Sequence, residues 1–194
     1  LFFIALYISY WTVKVFESYF YVLKSYSKLL KIEKKDYTNS PLIRQSAKHL
    51  KHVVIIPIYT EPYDVIEENV VALLANDYTF RENITILLAT EARVPDAIEN
   101  AEKIIAVYGN KGMQIVNIVH PENLPGEWKV KWANITYAIQ QYEKMVKLDP
   151  AHTFVSTIDT DTKVEKRFFS IITQTFLETD YRDQAIYQFM PVYS

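Results

Sequence analysis

The chain has 194 residues, 49% of them hydrophobic and 23% charged, enough for one domain with a full core. It contains no cysteine, which excludes disulfides, thiolate metal sites and cysteine nucleophiles. Its three glycines, Gly109, Gly112 and Gly126, never take the spacing of a Walker loop or a dinucleotide fingerprint, so any bound nucleotide must be met by side chains.

The formal charge of −2 conceals two unlike parts. Residues 1–52 carry nine Lys/Arg against three Asp/Glu, whereas residues 53–194 carry twelve against twenty. The acidic part is a poor surface for nucleic acid and a better one for a cation.

Leu1 to Leu23 reads LFFIALYISYWTVKVFESYFYVL, with Lys14 and Glu17 as its only charges, spaced to pair on one helix face. A bilayer is crossed by about 20 mainly apolar residues. The run has that length, its Tyr and Trp suit an interface, and Lys24, Lys28, Lys31, Lys34 and Lys35 follow it as on a cytoplasmic side. The expectation is a transmembrane or membrane-proximal helix and linker within residues 1–40. A buried helix of a soluble protein is the competing reading. A signal peptide would need its positive charges before the apolar run. The chain opens without Met, which leaves room for more of such a helix upstream.

From His52 onward strands and helices alternate. Residues 53–58 (VVIIPI) and 84–89 (ITILLA) are short β-branched or aliphatic runs, as in strands buried on both faces. Residues 113–119 alternate as a third strand, 153–158 form a fourth, and 185–193 read as extended. Helical spacing covers 63–75, 96–108 (ending at Gly109), 131–147 (stopped before Asp149-Pro150) and 167–178. This alternation predicts an α/β fold with a mainly parallel sheet and helices on both faces. Ligands of such sheets bind beyond the carboxyl ends of the strands.

Four segments follow those ends. After the first strand comes Tyr59-Thr60-Glu61-Pro62, where Pro62 holds Glu61 extended and also suits a helix start. After the second comes Thr90-Glu91-Ala92-Arg93, which taken alone reads as a surface ion pair. Before the third helix of the alternation, Pro125 to Asn134 places Lys131 at a helix N-terminus, where a cation opposes the helix dipole unless it faces an anion. A solvated lysine is the alternative. The fourth strand ends in Ile158-Asp159-Thr160-Asp161-Thr162, whose two carboxylates at i,i+2 share one side of an extended chain. Such a pair is either a helix-capping turn or a set of hard oxygen ligands for Mg²⁺ or Mn²⁺ bound jointly with substrate phosphates. The histidines His49, His52, His120 and His152 show no ligand spacing and read as structural or surface residues.

Taken together, these motifs resemble the family 2 glycosyltransferases, most closely the cellulose-synthase-like members, over residues 52 to 194. VVIIPIYTEP (53–62) is similar to the family's opening strand, with Thr60 where Asn is usual. Lys131-Trp132-Ala133-Asn134 is similar to its Lys-Ala-Gly-Asn run, with Trp132 as a departure. Asp159-Thr160-Asp161 is similar to its Asp-x-Asp, and Tyr187 to Pro191 to the strand that follows.

The resemblance implies the nucleotide-sugar-binding part of a GT-A domain in residues 52–194, C-terminally incomplete. Tyr59 and Glu61 would border a uridine, Lys131 and Asn134 belong to the donor-site motif with Lys131 at the diphosphate, and Asp159 would contact the nucleotide and metal. Asp161 would coordinate Mn²⁺ or Mg²⁺. Glu91 stands near the Asp-Asp-Gly aspartate that reads uracil, in a segment that departs from that pattern. The family's Thr-Glu-Asp base and Gln-x-x-Arg-Trp acceptor motif do not occur in the sequence, so no catalytic base is assigned. The implied activity is transfer of a sugar from a nucleotide-diphosphate sugar, a UDP-sugar by the resemblance, to a glycan or lipid-linked acceptor. The implied partners are the donor, the acceptor and a membrane, with the catalytic domain on the cytoplasmic face. The alternatives are a sugar nucleotidyltransferase, which would carry a Gly-rich loop after the first strand, and a non-catalytic membrane-anchored GT-A-like domain.

Overall fold

The computed structural model of the chain describes residues 2–33, 37–38, 40–126 and 130–188. It divides into two compact units, Leu1–Asp36 and Tyr37–Ser194.

The first unit is one helix, α1 (Phe2–Glu33). The Lys14 ammonium donates to the Glu17 carboxylate at 2.7 Å, as their spacing predicts, and the Thr12 hydroxyl donates to the Ile8 carbonyl. The helix runs past Leu23 to Glu33 and takes in Lys24, Lys28 and Lys31, the start of the segment expected as a linker. Among the described residues, no helix is long and apolar enough to cross a membrane, which corrects the expectation of a transmembrane span. The physical reason is composition. Ser9, Thr12, Lys14, Glu17, Ser18 and the tyrosines are distributed along the helix, leaving no sufficiently apolar stretch of spanning length.

The second unit is a four-stranded, all-parallel sheet in the order β3-β2-β1-β4, made by β1 (Lys51–Pro57), β2 (Ile84–Glu91), β3 (Gln114–His120) and β4 (Thr153–Thr157). β1 pairs with β2 from His52↔Ile84 to Pro57↔Ala89, and with β4 from Lys51↔Thr153 to Ile55↔Thr157. The connecting helices are α3 (Tyr63–Leu74), α4 (Pro95–Tyr108) and α5 (Lys131–Val146). A short helix, α2 (Pro41–Ser46), precedes the sheet, and α6 (Phe168–Glu178) follows it. The sequence reading missed α2, although Ser40-Pro41 is the expected start signal, with Pro at the first helical position.

Side-chain alternation sends β1 to both faces. Val54 and Ile56 join Ile66, Val70, Leu73, Ile86, Leu88, Ala101, Ile104 and Phe169 in one core. Val53 and Ile55 join Leu87, Ala89, Ile118, Ile135, Ala138 and Tyr142 in the other. So α3, α4 and α6 contribute to one face and α5 to the opposite one. The handedness rule accounts for this. Right-handed crossovers from β1 to β2 to β3 step in one direction and use one face, and the return from β3 to β4 steps the other way and uses the other face. Residues 185–188 form no strand, and the rest of the predicted extended segment, 189–193, lies outside the described residues.

His52 is buried in an aromatic box. Its ring stacks on Phe154, with centroids 5.1 Å apart, and meets Tyr78 and Phe169 edge-on. Its Nε2 lies 3.0 Å from the Thr173 hydroxyl, and its Nδ1 has no partner. Burial lowers its pKa from 6.5 to about 3, so the imidazole is neutral. The unfolded chain therefore binds this proton first. The stabilising contribution is complete above pH 6.5 and is lost progressively as pH falls towards 3. Urea unfolding at pH 6.5 and pH 4.5 should show an acid loss for the wild type that is larger than for His52→Phe by about 1.4 kcal/mol per pH unit. Equal losses in the two proteins would refute this account.

Candidate functional site

The strand order reverses at β1, and the crevice beyond the carboxyl ends of β1 and β4 is where sheets of this kind leave room for a ligand. A cleft of about 380 Å³ lies there, within the size range of small-molecule sites. Its walls include Tyr59 and Glu61 after β1, Glu91 and Arg93 at the end of β2, Lys131 and Asn134 in the first turn of α5, and Asp159, Thr160 and Asp161 after β4. All seven side chains singled out in the sequence (Tyr59, Glu61, Glu91, Lys131, Asn134, Asp159 and Asp161) line this one cleft. A smaller recess of about 40 Å³ beside it shares Glu91, Arg93 and Asn134 and continues to His120, Leu124 and Val130.

The loop after β4 carries the two carboxylates. Ile158 still donates to the Ile55 carbonyl, extending the ladder with β1 by one bond. Thr160 then turns inward, 4% exposed, and its hydroxyl donates to the Pro57 carbonyl at 2.8 Å. Asp159 and Asp161 flank it and are both exposed, as the i,i+2 spacing predicts.

Lys131 opens α5, and its ammonium pairs with the Asp159 carboxylate. The anion that makes a lysine acceptable at a helix N-terminus is therefore supplied by the chain itself. Both partners remain about half exposed, at 48% and 64%, so the pair contributes little net stability and exchanges readily for other ions. Glu61 does not project freely into the cleft. Its carboxylate folds back to accept from the Tyr59 amide at 2.6 Å, and Pro62 occupies the N-cap of α3 rather than its first turn.

Glu91 and Arg93 form the less exposed ion pair of the cleft, at 13% and 28% exposure. The guanidinium lies 5.0 Å from the centroid of the Tyr59 ring, joining the ends of β1 and β2. The hydrogen bond to Glu91 raises the pKa of Arg93 further. In sequence this pair reads as surface charge, because its contact with Tyr59 depends on the β1–β2 register.

Asn134 is 3% exposed and its Nδ2 donates to the Ala89 carbonyl at 2.8 Å, tying the start of α5 to the end of β2. Its Oδ1 is buried without a partner. Trp132, the bulky departure in the same turn, is 67% exposed. Gly126 has φ +81°, a left-handed conformation that favours glycine, while residues 127–129 of that segment lie outside the described residues.

The sequence suggests Mg²⁺ or Mn²⁺ as the ion for this donor set. Among the described residues no group of three or more His, Asp or Glu side chains gathers, so these residues offer no closed protein cage for a metal. Two adjacent exposed carboxylates fit the other arrangement, in which one or two protein carboxylates share the ion with phosphates and water.

Fold and cleft together define a parallel, Rossmann-like α/β unit with one charged crevice at its switch point. No protein-family model matches the chain, and no curated protein matches it in sequence.

Replacing Asn134 by Ala removes the amide that ties α5 to the Ala89 carbonyl, which keeps the Ile58 amide as its other donor. The expected loss is about 0.5–1.5 kcal/mol of unfolding free energy in urea, the net value of one hydrogen bond. A loss within a few tenths of a kcal/mol would show that the bond to Ala89 is not a structural tie.

Proposed function

We propose that residues 52–194 are the donor-binding part of a GT-A glycosyltransferase of the family 2, cellulose-synthase-like kind. The reaction is transfer of a sugar from a nucleotide-diphosphate sugar, with a UDP-sugar as the leading candidate, to a glycan or lipid-linked acceptor. One observation carries the reading. Side chains singled out in four separate segments, by their place at strand or helix ends and by the family resemblance, line a single cleft at the carboxyl ends of β1, β2 and β4. The nucleotidyltransferase and non-catalytic alternatives have no comparable observation in their favour.

In this reading the nucleoside lies towards Tyr59, Glu61 and Glu91, and the diphosphate towards Lys131 and the loop after β4. Transfer breaks the bond between the anomeric carbon and the diphosphate oxygen, and the acceptor hydroxyl oxygen forms the new bond as its proton passes to a general base, to which no residue of this chain is assigned. Negative charge grows on the leaving diphosphate. Lys131 would turn from the Asp159 carboxylate to a phosphate oxygen, an exchange made inexpensive by the exposure of the pair. Asp161, with Asp159, would hold a Mg²⁺ or Mn²⁺ shared with the diphosphate, and such an ion when bound offsets the charge of the leaving group. Arg93 would keep Glu91 and the Tyr59 ring in place at the nucleoside end. The basic N-terminal segment fits a domain held at a membrane surface on the cytoplasmic side.

With Mn²⁺ and a UDP-sugar, Asp161→Ala is expected to abolish sugar transfer. Undiminished Mn²⁺-dependent turnover would overturn the metal assignment. In calorimetry, Lys131→Ala should weaken UDP about tenfold and uridine hardly at all, as loss of one charge-assisted phosphate contact implies. Equal losses for the two ligands would remove Lys131 from the diphosphate.

A further inference from the structure

The backbone of residues 159–162 leaves the sheet, so its carbonyl groups need donors from elsewhere. Thr162 closes a turn on the Asp159 carbonyl at 2.9 Å. Three carbonyls of this loop then converge on one side-chain amide. Asn69 Nδ2, on α3, lies 2.9 Å from the oxygen of Asp159, 3.1 Å from that of Thr160 and 2.8 Å from that of Thr162. Two N–H bonds are shared among three acceptors. Because all three partners are carbonyls, the amide nitrogen must be the atom that faces them.

Asn69 is costly where it stands. It is 1% exposed, on a helix whose neighbouring buried residues Ile66, Val70 and Leu73 are all aliphatic. Its Oδ1 is buried without a partner, a burden that an apolar side chain would avoid. Packing of α3 does not call for an amide here; the loop does. Thr160, bonded to the Pro57 carbonyl, holds the same loop from β1. Between the two ties the backbone has one conformation, with Thr160 inward and the Asp159 and Asp161 carboxylates outward to the cleft.

We propose that Asn69 is a positioning residue of the cleft: through the carbonyls of Asp159, Thr160 and Thr162 it fixes the orientation of the Asp159 and Asp161 carboxylates. The inference rests on the reading of the cleft as a metal–nucleotide site. Groups one step removed from the ligands of a metal typically contribute about 10–100-fold to its affinity, by holding those ligands in place.

Asn76 provides the control. It is also 1% exposed with an unpartnered Oδ1, and its Nδ2 donates to the Glu165 carbonyl at 3.1 Å, three residues beyond the loop that carries the carboxylates. Mn²⁺ binding to the intact chain, with UDP present, can be read from the electron paramagnetic resonance signal of free Mn²⁺. Unfolding in urea is measured alongside. Asn69→Leu, which keeps volume and removes the donor, is expected to lower Mn²⁺ affinity about 10–100-fold. Asn76→Ala should lose stability while its Mn²⁺ affinity stays within about twofold of wild type, since it touches none of the backbone between the carboxylates. Should Asn69→Leu fail to fold, Thr160→Val releases the loop from the opposite side, and the same fall in affinity is expected. Wild-type affinity in a folded Asn69→Leu protein would overturn the positioning role and leave the reading of the cleft intact. So would equal falls in Asn69→Leu and Asn76→Ala, and, in the fallback, unchanged affinity in Thr160→Val. No Mn²⁺ binding by the wild type would instead overturn the metal reading of the cleft, and this inference with it.

Discussion

The cleft depends on a constraint of handedness. A parallel strand can be followed by its neighbour only through a crossover, and crossovers turn right. Once β2 and β3 have been added on one side of β1, the return to β4 on the other side must pass over the opposite face. The chains leaving β1 and β4 run at adjacent strand ends to α3 and α6 on one face, while α5 reaches the same rim from the other. The space between the two strand ends is lined by Tyr59 and Glu61 on one side and by Asp159, Thr160 and Asp161 on the other. The same topology brings the N-terminus of α5, with Lys131 and Asn134, from the far face to the rim. No charged side chain had to be buried to achieve this, because the strand ends supply the convergence.

Within the cleft the charges are held with different firmness. Glu91 and Arg93 are the more enclosed pair and are steadied by the Tyr59 ring, so this end is fixed. Lys131 and Asp159 meet in a more open setting, where water screens the attraction and exchange of partners costs little. A rigid end and an exchangeable end suit a ligand with a flat heterocyclic part and an anionic part. Beneath the exchangeable end the backbone is not loose at all. Asn69 and Thr160 pin it from α3 and from β1.

Much of this was legible in the sequence. The four strands and the helices between them follow from apolar periodicity, and their ends shift by only one or two residues. The pairing of Lys14 with Glu17 and the shared side of Asp159 and Asp161 follow from spacing alone. The transmembrane expectation went wrong because it weighed the low charge of residues 1–23 and neglected how far hydroxyl-bearing side chains lower their hydropathy. Helix α2 was passed over since six residues are too few to show a period. Nothing in the local pattern shows that the Glu61 carboxylate accepts from the Tyr59 amide two residues before it.

The sequence by itself determined the local elements, the opposed charge of the two parts, and which side chains stand at strand ends, because each depends on neighbours a few residues away. Only the tertiary structure decided the strand order, and with it that four distant segments share one crevice. It also decided the roles of Arg93, Asn134 and Asn69. Asn69 lies 90 residues from Asp159 in the chain, and no local rule distinguishes its amide from any polar residue on a helix. Its value arises only when α3 packs beside the loop after β4, because a hydrogen bond is set by distance in space, and spacing along the chain does not encode that distance.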